Sequence, residues 1–193
     1  MNLNFLGDAL DHWKGSLFES LQEAQVLRDF AVDPMASDLG SWNSDDFLIL
    51  ARLLRITPAQ IIQHQVGLQE RSRYFGEISH RGDLFLDPDT GVATRRVKDL
   101  PRYVNPPEIG VLLNASPDRL LAVYQHVRAQ RVADRIDTVL TTLRNQIGEV
   151  SWCTYASPTV AMMFLTRAPA RTTHVAEHFA SLLGRHAAGR IRP

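Results

Sequence analysis

The residues with the types and spacing to do chemistry cluster around one stretch, Gly82-Asp83-Leu84-Phe85-Leu86-Asp87-Pro88-Asp89-Thr90-Gly91. A short apolar run ends abruptly in two carboxylates, Asp87 and Asp89, separated by a proline. Two carboxylates at a strand end suit Mg2+ or Mn2+, which take oxygen ligands and keep several waters. With Asp33 or Asp38 from a neighbouring strand they would form an acidic cluster fit for phosphoester hydrolysis. Asp-Pro-Asp-x-Gly is equally good turn chemistry, because Asp bonds its own backbone, Pro presets φ and Gly takes positive φ. Both readings stay open.

A second apolar run ends in Gln125, His126 and Arg128. His126 has the chemistry of an acid or base near neutral pH, or of a structural histidine bonded to backbone. Arg128 would pair with a phosphate or with a rim carboxylate. Near the start, Asp8, Asp11 and His12 stand at i, i+3 and i+4, so a helix puts them on one face beside Trp13 and Lys14. Asp8 and His12 would share a metal there, Asp8 would orient His12, or the group is simply a polar surface. After the carboxylate turn come Arg95, Arg96, Lys98, Arg102 and Tyr103. Arginines interleaved with aromatic rings suit a nucleic-acid or phosphate ligand, and equally a solvated loop. His174 and His178 lack the Glu placement of a zinc-protease helix and read as structural.

These groups need elements to hold them. Residues 7–27 carry Leu10, Trp13, Leu17, Leu21 and Ala24 at helical spacing, so residues 1–28 form a lead-in helix. Phe30 to Val32 reads as a short buried strand broken at Asp33-Pro34. Asn43 or Ser44 caps a helix, and Thr57-Pro58 opens another through "TPAQIIQHQVGLQERSRYF". Strands follow at 84–86 and from Leu120 to Tyr124, with a charged loop and the short helix "PEIGVLLNAS" between them. The helix "DRIDTVLTTLRNQI" leads to a hairpin turning at Ser157-Pro158. Residues 172–193 supply a last helix, ended by Gly184, and a basic tail. Strands alternating with helices predict a single α/β domain over 1–193. It is Rossmann-like and three-layered, with a mainly parallel sheet and a C-terminal antiparallel hairpin. In such sheets ligands bind beyond the carboxyl ends of the strands. Asp33, Asp87, Asp89 and His126 would then share one rim.

The chain has 193 residues, 45% hydrophobic and 22% charged, a composition that supports a large buried core without disulfides. Its one cysteine, Cys153, excludes an intramolecular disulfide and a cysteine-based zinc site. No leader pattern and no apolar run of membrane length is seen, which predicts a cytoplasmic protein with no membrane partner. Net charge is zero, yet residues 1–50 carry nine acids against Lys14 and Arg28, while residues 119–193 carry ten arginines against four acids. The two regions either pair in the fold or leave a cationic face for a phosphate-bearing partner.

The order of elements resembles the class I S-adenosylmethionine-dependent methyltransferase fold. A lead-in helix precedes a strand ending in an acid, a strand ending in Asp-Pro, a further strand and a final hairpin. Phe85-Leu86-Asp87-Pro88 is similar to the strand end Phe-Leu-Asp-Pro-Phe-Gly of the three-Cys-motif partner proteins. The resemblance implies that Asp87 lies near a reacting amine and that Asp33 ends the first core strand. It also implies that a lead-in helix bearing His12 or Lys14 approaches the site, and that S-adenosylmethionine is the cofactor. The predicted catalytic rim is Asp33, Asp87, Asp89 and His126, with Arg95, Lys98, Arg128, His12 and Lys14 binding a nucleotide or nucleic acid. A Mg2+- or Mn2+-dependent hydrolase is an alternative. So is a non-catalytic partner on a degenerate enzyme fold, because "VDPMASDLG" offers no glycine before Gly40 where the cofactor loop belongs.

Overall fold

The computed structural model describes residues 1–37, 42–63, 66, 70–98, 100–127 and 130–193. Three parallel strands form the first half of its sheet: β1 (Ala31–Asp33), β2 (Leu84–Leu86) and, after two short strands β3 (Gly91–Val92) and β4 (Tyr103–Val104), β5 (Leu121–His126). An antiparallel hairpin, β6 (Ser151–Ala156) and β7 (Val160–Thr166), and a terminal strand β8 (Ile191–Arg192) complete the order β1-β2-β5-β7-β6-β8. Asp33 pairs with Leu86, and Leu86 with Val123. The three strand ends expected to share a rim are therefore neighbours.

Alternation along the strands divides the core in two. On one face Val32, Phe85, Ala122, Met162 and Phe164 pack beneath α1 (Ala9–Glu23), α2 (Ser44–Leu53) and, from the chain's end, α6 (Pro169–Leu183). On the other, Leu84, Leu86, Leu121, Val123 and Met163 pack against α3 (Arg71–Gly76), α4 (Pro106–Ala115) and α5 (Val132–Ile147). The result is the three-layer α/β arrangement predicted.

Local chemistry accounts for the helix ends. Asp8 caps α1 by accepting from the Leu10 and Asp11 amides, and Asn43 caps α2 in a reciprocal box with Asp46. Gly184, at φ 51°, ends α6 as its position predicts. Gly15 lets α1 and α2 touch, since a Cβ there would lie 2.1 Å from the Leu53 carbonyl oxygen.

Three expectations need correction. Among the described residues of the helix predicted from Thr57 to Phe75, the structure has one 3-10 turn at Pro58–Gln60 and the short α3 instead. The open edge of β1 captures the chain between them: Ile61 bridges Val32, the Ile62 amide donates to the Val32 carbonyl at 2.8 Å, and Gln60 Nε2 donates to the Phe30 carbonyl at 2.7 Å. Sheet pairing here outweighs helix propensity. The charged loop after Asp89 holds a small parallel pair, β3 with β4. The basic tail ends as β8 on β6, where Arg192 pairs with Asp137 and lies over the Trp152 ring. Among the described residues, no helix is long and apolar enough to cross a membrane.

Candidate functional site

The rim is built around the end of β2. Beyond Leu86 the Asp87 amide still bonds the Asp33 carbonyl at 3.0 Å, so the Asp87 side chain leaves from a fixed backbone. Its Oδ2 accepts from Lys14 Nζ at 2.7 Å, and Lys14 also donates to Asp11 Oδ1 at 3.0 Å. Asp11, Lys14 and Phe18 follow helical spacing, so α1 carries this charged pair on the stripe it buries against the sheet. Lys14 Nζ sits 4.6 Å from the centre of the Tyr124 ring, a further attraction for a cation. Burial alone would lower the Lys14 ammonium, but Asp87 and Asp11 outweigh it and hold it above its usual range. Burial raises the Asp11 carboxyl, with Lys14 opposing.

Asp89 is equally engaged. It accepts from Ser37 Oγ at 2.9 Å and lies 3.2 Å from the amino group of Met1 and 3.4 Å from Arg102 Nε. That amino group donates to the carbonyls of Pro34, Met35 and Asp87 at 2.7, 2.8 and 2.9 Å. Burial lowers its pKa, against the charges of Asp89 and Asp87. Asp33 is fully buried beneath the rim, where both oxygens accept from the Tyr74 hydroxyl at 2.8 Å and Oδ1 from the Met35 amide at 2.8 Å. Burial, and then the Asp33 charge, drives the Tyr74 hydroxyl far up, so it remains a donor.

Gly91 closes the turn at φ 118° because the fully buried Gln125 occupies the space a Cβ would need, its amide 2.5 Å away. Gln125 accepts from the Val92 amide at 3.0 Å and donates to the carbonyls of Thr90 and His126 at 3.1 and 2.7 Å. The turn is thus pinned to β5. Asp83, at the other end of the same stretch, is structural: it accepts from the Leu120 and Arg28 amides and pairs with Arg171.

Two cavities open at this rim. One, of about 140 Å³, is lined by Asp87, Asp89, Lys14, Tyr124 and His126, together with Met1. The other, of about 340 Å³, is lined by Thr90, Thr94, Arg95, Tyr103, His126 and Arg135 among others. His126 belongs to both. Half-buried, it holds its amide to the Thr90 carbonyl at 3.1 Å and its Nε2 3.3 Å from the Tyr124 hydroxyl. Arg135 reaches the second cavity while donating to Thr94 Oγ1 and the Val92 carbonyl, each at 2.9 Å. Burial lowers the Arg135 pKa, and the charge of Arg95 acts in the same direction. No carboxylate is among the described residues that line this second cavity.

The fold therefore gathers four predicted residues, Asp87, Asp89, His126 and Lys14, around one space, and sets Arg95 in the adjoining one. It leaves Asp33 sealed below. His12 and Lys98 are exposed and line neither cavity. Asp8 is spent on capping α1, so it and His12 do not form the metal pair considered for that helix face. Arg128 and Asp38 lie outside the described residues. Sequence reading missed Arg135 and Tyr124. Period-two alternation places Tyr124 on the same side of β5 as His126, a signal that was present. Arg135 stands in the first turn of a helix and carried none.

The carboxylates do not fit a divalent cation, because Asp87 already faces Lys14 and Asp89 faces the Met1 amine and Arg102. Among the described residues no three His, Cys, Asp or Glu side chains are grouped to hold a metal. The described start of the loop after β1, residues 34–37, does not fit S-adenosylmethionine either. It carries the buried Met35 at φ 46°, and its Pro34 and Met35 carbonyls are taken by the Met1 amine. What the rim offers is a cavity lined by Arg95 and Arg135, next to a cluster of paired acids and amines. No protein-family model matches this chain, and no curated protein is significantly similar to it.

Proposed function

We propose that the chain binds a nucleotide or a nucleic-acid segment at its carboxyl rim, as a cytoplasmic partner or regulatory protein on a degenerate methyltransferase-like fold. The observation that carries this reading is the second cavity. Arg95 and Arg135 line it together with His126, Thr90, Thr94 and Tyr103. Arg135 is held in place by Thr94 and the Val92 carbonyl, so it contributes positive charge, while the exposed Arg95 is the guanidinium that can reach phosphate oxygens. The methyltransferase-like character rests on the element order, with strands ending at Asp33 and Asp87-Pro88 side by side and a closing antiparallel hairpin. A non-catalytic role is favoured by the described start of the loop after β1, residues 34–37, where the Pro34 and Met35 carbonyls are spent on the Met1 amine.

A nucleotide- or nucleic-acid-related enzyme is the second reading, and His126 favours it. A half-buried imidazole between an anion cavity and the Lys14–Asp87 pair stands where a general acid or base would act on a bound phosphate ester. Thermal melting separates binding from its absence, because a ligand bound only by the folded state raises the melting temperature. A rise with millimolar adenosine nucleotides or a short single-stranded oligonucleotide, smaller in Arg95→Ala, is the expected outcome. An unchanged melting temperature with all of them overturns the proposal.

A further inference from the structure

Arg95 lines a third cavity as well as the anion cavity, and the third has the opposite character. It measures about 510 Å³, within the size range of small-ligand pockets, and lies where α3, α4 and α5 meet the segment after β3. Phe75, Pro107 and Val111 give it apolar walls, Arg95, Arg96 and Glu108 are its charged residues, and Gln146 supplies an amide. Its walls are braced. Arg71 forks onto Glu108 at 2.7 and 2.8 Å and donates to the Tyr103 carbonyl at 2.7 Å. Glu108 in turn accepts from the Asn105 amide at 2.7 Å and from Asn105 Nδ2 at 3.0 Å. The Arg71 guanidinium lies 5.4 Å from the centre of the Phe75 ring, fixing that wall too.

We propose that this cavity is the base subsite for a nucleoside phosphate whose phosphate sits against Arg95 and Arg135. The inference rests on the anion cavity proposed above and names the rest of its ligand. An aromatic base is flat, apolar on its faces and polar at its edges. Phe75, Pro107 and Val111 match the faces, and Gln146, with one donor group and one acceptor, matches an edge. Arg95 lines both cavities, so the proposed ligand would place its charge on one side of that residue and its ring on the other. Free mononucleotides and single-stranded nucleic acid share this chemistry.

Isothermal titration of the full chain with adenosine 5′-monophosphate and with ribose 5-phosphate tests the assignment. The base-bearing ligand is expected to bind about tenfold tighter, the order of effect that base stacking gives. Val111 is 46% exposed, so Val111→Trp can fill the cavity from its mouth without disturbing the core. It is expected to bring adenosine 5′-monophosphate down to the affinity of ribose 5-phosphate and to leave ribose 5-phosphate unchanged, which also reports an intact fold. Equal binding of the two ligands by the unaltered chain, or no loss in Val111→Trp, overturns the base subsite and leaves the anion cavity standing. Binding of neither ligand removes both. Where the base subsite holds, a trinucleotide binding tighter than the mononucleotide, with the same loss in Val111→Trp, marks single-stranded nucleic acid as the source; weaker binding marks the free nucleotide.

Discussion

Lys14 Nζ lies 2.7 Å from Asp87 Oδ2, across 73 residues of chain, and this pair joins the lead-in helix to the end of β2. Both side chains are buried. Lys14→Met leaves Asp87 and Asp11 without their cation inside the protein. Breaking one side of a buried ion pair costs about 3–5 kcal/mol. Urea unfolding followed by circular dichroism is expected to show a loss of that order, with Lys14→Met/Asp87→Leu less destabilised than the sum of its single changes.

The same pair sets an alkaline limit. The folded state holds the Lys14 ammonium above its ordinary value of 10.5. A base with a raised folded pKa contributes its full stability below the unfolded value and loses it as pH climbs through the folded one. Unfolding free energy measured from pH 8 upward is therefore expected to fall beyond about pH 10.5 more steeply in the unaltered chain than in Lys14→Met. Parallel curves would show that Lys14 is not the titrating group.

Asp33 depends on a partner 41 residues away, the Tyr74 hydroxyl, for hydrogen bonds to both its oxygens. Tyr74→Phe keeps the ring and removes the donor. A lost hydrogen bond to a buried charge is expected to cost about 2 kcal/mol in denaturant unfolding.

Gly91 and Gln125 form a lock between the carboxylate turn and β5. In Gly91→Ala the new Cβ meets the Gln125 amide at 2.5 Å, and φ 118° is strained for any side chain. Each source of strain costs on the order of 1–3 kcal/mol. Gly91→Ala/Gln125→Ala is expected to relieve the clash but not the backbone term, and to fall short of full recovery in a thermal melt.

Much of the framework was legible in the residues. Apolar runs ending in Asp33, Asp87 and His126 marked three strands, and the rule for parallel sheets put their ends on one rim. Lys14 was legible as a site residue only in part. The methyltransferase resemblance implied that a lead-in helix bearing His12 or Lys14 would approach the site, but not that Lys14 would serve as the counter-ion of Asp87. That depends on a packing distance no local pattern encodes. The course of residues 57–75 was hidden for a similar reason. Thr57-Pro58 carries a true helix start, but the unpaired edge of β1 competes for Ile61 and Ile62 and wins. The balance of charge was also only half legible. In the described ion pairs, the acids of the first fifty residues meet Lys14 and Arg55, while Arg171 goes to Asp83 and Arg192 to Asp137.

An anion site at the rim built on Arg95 and Arg135, as proposed, must bind phosphate with a measurable salt dependence. Fluorescence anisotropy of a labelled single-stranded oligonucleotide, titrated across a series of salt concentrations, reports affinity and the number of phosphate contacts together. Arg95→Ala is expected to weaken binding about tenfold at low salt and to lower the slope of log affinity against log salt by about one. Arg135→Lys, which keeps the charge but loses the paired donors that tie the side chain to Thr94 and the Val92 carbonyl, is expected to weaken binding with the slope unchanged. An affinity and slope in Arg95→Ala equal to those of the unaltered chain would contradict the account.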